Sequence, residues 1–160
     1  MVDIQTISIA IASASVVVGV VFAILQLRDL VKTRQTDLIM RLYSRFGSEG
    51  FQKTWEKVLG REAKDLYDHG EKLGWAEWTA IGTFFEGIGV LLHKKLIDIG
   101  LVDDLFTAPI KMSWDKMKDS IIEARKELGQ PTIFEWFEYL YGEMQKENRD
   151  GRAFLHLSFM

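Results

Sequence analysis

The chain has 160 residues, a length that suits one folded domain with an attached segment. Its net charge of -3 is too small to indicate a nucleic-acid partner. Cysteine is absent, which excludes disulfide bonds, thiolate metal sites and a cysteine nucleophile.

The first segment has the composition of a membrane span. No charged residue occurs from Ile4 to Leu27, and about 20 helical residues are enough to cross the hydrocarbon core of a bilayer. Basic residues follow this run, beginning with Arg28 and Lys32, whereas only Asp3 precedes it. We therefore expect a single-pass protein of the cell membrane, with its N-terminus outside and its C-terminal domain in the cytoplasm. A cleaved signal peptide is the main alternative, but it requires a basic segment before the apolar run.

Small residues recur along this predicted helix at intervals of three or four positions. They share one helical face and form a ridge: Ser8, Ala12, Ser15, Gly19 and Ala23. Such a ridge allows a second membrane helix, from a partner or from another copy of the chain, to approach closely. Small residues are also common in spans generally, so the ridge alone does not decide between packing and no packing.

Helical periodicity continues through the first half of the chain. Apolar residues keep helical spacing as far as Phe46, which predicts one long helix over about 4–46. Ser48 can cap a second helix, and 62–74 is predicted to be a loop because it is mostly polar and contains glycine. A strong helix is expected over about 76–96.

Prolines and a glycine divide the second half. Pro109 is predicted to end a short helical segment, and a further helix over 112–128 is predicted to stop at Gly129. Pro131 is expected to open the last helix, and 148–151 is predicted to be a turn or the end of that helix. No alternating strand pattern occurs, so the predicted fold is all-α, with a transmembrane helix that continues into a small cytosolic helical bundle.

The predicted organisation has three parts. Residues 1–46 form the anchor helix and its cytosolic extension, residues 47–148 form the helical bundle, and residues 149–160 form an apolar tail. The tail surrounds one histidine with apolar residues: Phe154, Leu155, His156, Leu157 and Phe159. We expect it to dock on its own domain, on lipid or on a partner, where the imidazole could reach a partner's metal cofactor. A disordered tail with an incidental histidine is the simpler interpretation.

The stretch "GTFFEGIGVLLHKK" contains one carboxylate, Glu86, beside three glycines. A helical wheel places Glu86 with Gly82, Gly89 and His93 on a small and polar face, away from the apolar stripe. Each glycine in a helix costs about 1 kcal/mol relative to alanine, so another helix of the bundle or another protein is expected to pass close to this face. Arg125 is a candidate partner for the carboxylate, and a structural ion pair or a solvated carboxylate is the ordinary interpretation.

Motifs of catalysis are not recognisable in the sequence. Asp65 and His69 have the spacing of two metal ligands on a helix, but they lie in a predicted loop and no third ligand is evident. The sequence "EGIG" lacks the preceding strand and the following lysine of a phosphate-binding loop. We therefore predict no catalytic residue, no metal site and no cofactor.

Three stretches together resemble a known type of protein. They are "VFAILQLRDLVKTR" at the membrane exit, "FFEGIGVLLHKKLIDIGLVDDLF" in the middle and "WFEYLYGEM" near the end. In combination they are similar to a family of uncharacterised single-span proteins, found mainly in prokaryotes. The resemblance implies an N-terminal anchor and a small helical cytosolic domain, and it implies no site residues because the family has no established activity.

These observations lead to three functional hypotheses. The first is a non-catalytic accessory or regulatory subunit that binds a larger membrane protein complex through its anchor, its glycine-rich helical face and its tail. The second is a self-associating, membrane-anchored sensor or scaffold, in which the ridge pairs two copies. An enzyme with an unrecognised helical site comes third.

Overall fold

The computed structural model describes residues 3–61 and 74–158, except for the side chains of residues 6, 7, 10 and 147–158. The described part contains five α-helices and no strand. Their bounds are α1 Ile4–Phe46, α2 Glu49–Gly60, α3 Trp75–His93, α4 Ile99–Leu128 and α5 Glu135–Ser158. The predicted all-α class is confirmed, as is the continuous first helix.

The chain divides into two compact units, Met1–Leu38 and Ile39–Met160. In the first unit, the described apolar side chains of α1 from Ile4 to Val31 are exposed, as the 66% exposure of Val16 and the 61% exposure of Phe22 illustrate. The apolar window of α1 has a mean hydropathy of 2.0, and none of it is buried in the protein. By length and composition, α1 can therefore cross a membrane.

In the second unit, the end of α1 contributes to the hydrophobic core. Ile39 is 1% exposed and Phe46 is 8% exposed. The Phe46 ring contacts aromatic rings of α2, α3 and α4 at centroid distances from 5.3 to 6.4 Å: Phe51, Trp55, Phe84, Phe85 and Phe106. This cluster fixes the last turn of α1 within the bundle.

Two helix ends follow the local rules used for their prediction. The Ser48 hydroxyl accepts the N–H of Phe51 and caps α2, as expected. Gly129 adopts a left-handed conformation, with φ 61°, and ends α4 as expected.

Pro109 does not end a helix, contrary to the prediction, because it lies inside α4. Proline in a helix interior removes one hydrogen bond and costs about 3 kcal/mol. The helix continues because the same face of α4 is buried before and after the proline: Val102, Phe106, Ile110, Met117, Ile121 and Ala124. Burial of this long face outweighs the local cost of Pro109.

The last helix also differs from the prediction at both ends. Pro131 does not open α5; turns occupy 131–134, and Phe134 has a φ of 53° that is incompatible with a helix. At the other end, the helical backbone continues through Gly151 to Ser158. The turn or helix end predicted at 148–151 is therefore wrong.

Candidate functional site

The glycine-rich face of α3 is covered by the start of α5. A Cβ atom built on Gly82 would lie closer than 3.0 Å to the Phe134 ring, and one built on Gly89 would overlap the backbone of Trp136. Only glycine allows this approach at either position. The close neighbour expected at this face is thus a helix of the same bundle. This face, which the sequence suggested as a possible binding surface for another protein, is therefore not available to a partner.

Glu86 lies between these two glycines and caps α5. Its Oε2 atom accepts the backbone N–H of Phe137 at 2.7 Å. Phe137 is in the first turn of α5, where N–H groups have no acceptor within their own helix and the helix dipole favours a negative charge. The carboxylate of α3 therefore performs the role that an N-cap side chain performs within a helix.

Arg125 acts beside this cap rather than through an ion pair with Glu86. Its Nη1 atom donates to the Glu138 carboxylate at 2.7 Å, and its Nε atom donates to the Ile133 carbonyl at 2.8 Å. Arg125 thus joins α4 to the turn before α5 and to α5 itself. In place of the pairing with Glu86 suggested by the sequence, Arg125 makes these contacts and Glu86 accepts the backbone N–H of Phe137.

The environment of Glu86 raises the pKa of its carboxyl group above the usual value of 4.5. Burial is the largest cause, because it disfavours the charged form. The N–H groups of Phe137 and Trp136 oppose this increase, as does the charge of Arg125, whereas nearby Glu135 adds to it. Burial prevails, so the net effect is a pKa above that of a free glutamate.

His93 completes the contact between α3 and α5. Its ring packs against Trp136 at 4.2 Å and against Tyr139 at 5.6 Å, both measured between ring centroids. The four residues that the sequence placed on one face therefore all contact the same segment: Gly82 lies against Phe134 in the turn before α5, and Glu86, Gly89 and His93 contact the first turn of α5. The structure assigns them a structural role in docking that helix.

A third face of α3, which sequence reasoning missed, is exposed. Its residues are small and uncharged: Ala76, Ala80, Thr83 and Gly87. Their spacing of four, three and four is the same helical signal that identified the ridge in the span. The signal could have been found by looking for a second small face after the first one had been assigned.

This face forms one wall of a groove of about 490 Å³, which we call the outer groove. Its lining combines the third face of α3 with the end of α1: Leu42, Arg45, Trp75, Ala76, Thr79, Ala80, Thr83, Phe84 and Gly87. Arg45 is the charged residue of this set. The Thr79 hydroxyl oxygen is buried and has no hydrogen-bond partner among the described residues.

The ridge of the span is uncovered. Ser8 and Ser15 donate their hydroxyl groups to carbonyls one turn earlier, Ile4 and Ile11. A Cβ atom built on Gly19 would meet no atom within 4 Å. With its hydroxyl groups satisfied inside the helix, the ridge presents a narrow, mainly apolar surface.

Some of the predicted residues lie outside the described part of the chain. Asp65 and His69 are in 62–73, Phe159 follows Ser158, and the side chains of 154–157, including His156, are not described. Within 3–61 and 74–158, no group of three or more potential ligands is arranged to hold a metal ion. The predictions for the tail therefore stay predictions.

Comparison with known proteins identifies one matching family. The sequence model of the family described as Domain of unknown function (DUF4760) matches residues 13–144. This range covers most of α1, all of α2, α3 and α4, and the described side chains of α5 up to Met144. No curated protein and no solved structure matches the chain.

Proposed function

The chain belongs to the DUF4760 family, a domain of unknown function, and from its own residues we propose that it is a membrane-anchored, non-catalytic accessory or regulatory subunit of a larger membrane protein complex. The span crosses the cell membrane once, with Asp3 outside and the helical bundle in the cytoplasm. The basic residues after Leu27, beginning with Arg28 and Lys32, support this orientation.

One observation carries the proposal. None of the apolar window of α1 is buried within the protein, although its mean hydropathy is 2.0. Exposing such a surface to water is unfavourable, so a bilayer or another protein must cover it. The ridge adds a place where a neighbouring membrane helix can approach closely, because small side chains bring helix axes together.

The contacts of α3 reduce the set of surfaces at which a partner could bind. The face of Gly82 and Gly89 is no longer among them, because α5 covers it. The ridge of α1 remains, and the tail remains as a prediction. An accessory role thus depends first on the span.

The test is recovery of the protein from its native membranes in a mild detergent. We expect co-purification with a larger membrane protein, and a marked loss of that protein from Gly19→Leu, which places a bulky side chain on the ridge. Val17→Leu is the matched control, since it adds a leucine on a different side of the same helix. Recovery of the wild-type protein alone, at monomer size, would contradict the proposal.

The second candidate is a self-associating sensor or scaffold, which the same ridge supports. A ridge that is uncovered at Gly19 can pair with its own copy as well as with another protein. Crosslinking in intact membranes separates the two candidates. Dimers that Gly19→Leu abolishes and Val17→Leu preserves would favour self-association, whereas a crosslink to a different protein would favour the accessory role.

A further inference from the structure

α3 has two small faces, and only one of them is covered within the described part of the chain. On the inner face, Gly82 and Gly89 allow the beginning of α5 to lie directly on the helix backbone. On the outer face, Ala80 and Gly87 are exposed, and a Cβ atom built on Gly87 would meet nothing within 4 Å. The inner face shows what such a surface does in this fold: it receives a helical segment at close range.

The outer groove has the chemistry of a site for a helix with an apolar face. Leu42 and Phe84 supply apolar walls, and Ala80 and Thr83 keep the floor shallow. Small residues at intervals of four, three and four let another helix approach more closely than large side chains would. A volume of about 490 Å³ leaves room for a few side chains of such a helix.

Arg45 gives the outer groove a single charge. Its guanidinium group forms no ion pair within the described part of the chain, whereas Arg125 is paired with Glu138. A carboxylate complements an arginine in geometry as well as in charge, because the guanidinium can donate two parallel hydrogen bonds.

From these contacts we infer that the outer groove binds a helical segment of the larger membrane protein, apolar where it meets α3 and carrying an aspartate or glutamate opposite Arg45. This inference rests on the proposed function and names the chemistry of the partner. An acidic helix is favoured because the described lining of the groove contains one arginine without an ion pair and no carboxylate.

Photocrosslinking in native membranes tests the inference on the full-length chain. A photoreactive phenylalanine analogue replaces Thr83 in the groove, and Lys118, an exposed residue of α4 outside it, serves as the control position. We expect the Thr83 product to be a peptide of another membrane protein that contains an acidic residue. Its yield should fall at least tenfold with Arg45→Glu and persist with Arg45→Lys.

Charge reversal gives the decisive outcome. Replacing the acidic residue of the crosslinked peptide by lysine should restore the product in the Arg45→Glu background. A product formed with a second copy of the chain, a product formed with lipid, or equal yields from Thr83 and Lys118 would overturn the inference. The same probe at Gly19 distinguishes this inference from the proposed function. A partner captured at Gly19 but not at Thr83 would contradict binding in the outer groove and would still support the accessory role.

Discussion

The carboxylate of Glu86 accepts the backbone N–H of Phe137 at 2.7 Å, although the two residues are 51 positions apart in the chain. One helix therefore supplies the cap of another. Because Gly82 and Gly89 lie about one turn on either side, the contact combines a hydrogen-bond acceptor at the helix end with close packing. The beginning of α5 is the part of the fold most dependent on α3.

The first prediction concerns removal of this cap. Glu86→Ala should lower the free energy of unfolding of the bundle by about 1–2 kcal/mol, the usual effect of losing an N-cap acceptor. Urea denaturation in detergent micelles, followed by tryptophan fluorescence, measures the change. Hydrogen exchange at the Phe137 amide should accelerate in the same variant. Glu123→Ala, at an exposed position of α4, is the control, and equal stability of the two variants would rule out the cap.

The second prediction concerns charge at the same position. Burial raises the pKa of Glu86, which means that the fold holds the neutral form better than the carboxylate. Glu86→Gln keeps a carbonyl acceptor without the charge. We therefore expect Glu86→Gln to be at least as stable as the wild type at neutral pH, unlike Glu86→Ala, in the same urea experiment. A loss as large as that of alanine would show that the charge itself is required.

The third prediction is the dependence on pH. Since the pKa of Glu86 is higher in the folded state, the folded protein binds the proton more tightly than the unfolded chain. Its contribution to stability is fully present below the usual pKa of 4.5 and is lost as the pH rises through the raised value. The stability of the wild type minus that of Glu86→Gln should therefore fall from mildly acidic to neutral pH. A difference that is independent of pH, or that rises, would contradict the assigned shift.

The fourth prediction compares two glycines on the same helix. Gly89→Ala should destabilise the bundle by about 1–3 kcal/mol, because its methyl group would overlap the backbone of Trp136, which cannot move away as a flexible side chain could. Gly87→Ala should stabilise it by up to about 1 kcal/mol, since it gains helix propensity and meets no atom. Thermal and urea unfolding of both variants decide the matter, and a similar effect at the two positions would contradict the packing described for α5.

Local chemistry predicted the features of the fold that depend on a few neighbouring residues. Ser48 and Gly129 act at helix ends through their own side chain or backbone, so the sequence is sufficient to recognise them. The same local rules wrongly predicted a helix end at Pro109. The cost of the proline is local, whereas the burial that compensates for it extends over several turns of α4. A rule applied to a short segment cannot weigh that burial.

The candidate site shows the same limit. The spacing of Gly82 and Gly89 correctly indicated a close neighbour, because glycine is unfavourable in a helix interior unless something packs against it. The identity of the neighbour depended on the turn at Phe134, whose positive φ no local signal announces. Arg125 has the charge expected of a partner for Glu86, yet it contacts Ile133 and Glu138 instead, and Glu86 accepts a backbone N–H.

The fifth prediction addresses orientation, and the absence of cysteine makes it direct. Asp3→Cys and Lys118→Cys each introduce one thiol, the first before the span and the second on an exposed position of α4. With the N-terminus outside, a membrane-impermeant maleimide should label Asp3→Cys in intact cells and Lys118→Cys only after permeabilisation. This expectation rests on the excess of Arg and Lys after Leu27, a pattern typical of cytoplasmic flanks. Labelling of Lys118→Cys in intact cells would contradict the predicted orientation. Release of either variant from membranes without detergent would contradict the prediction that α1 spans the membrane.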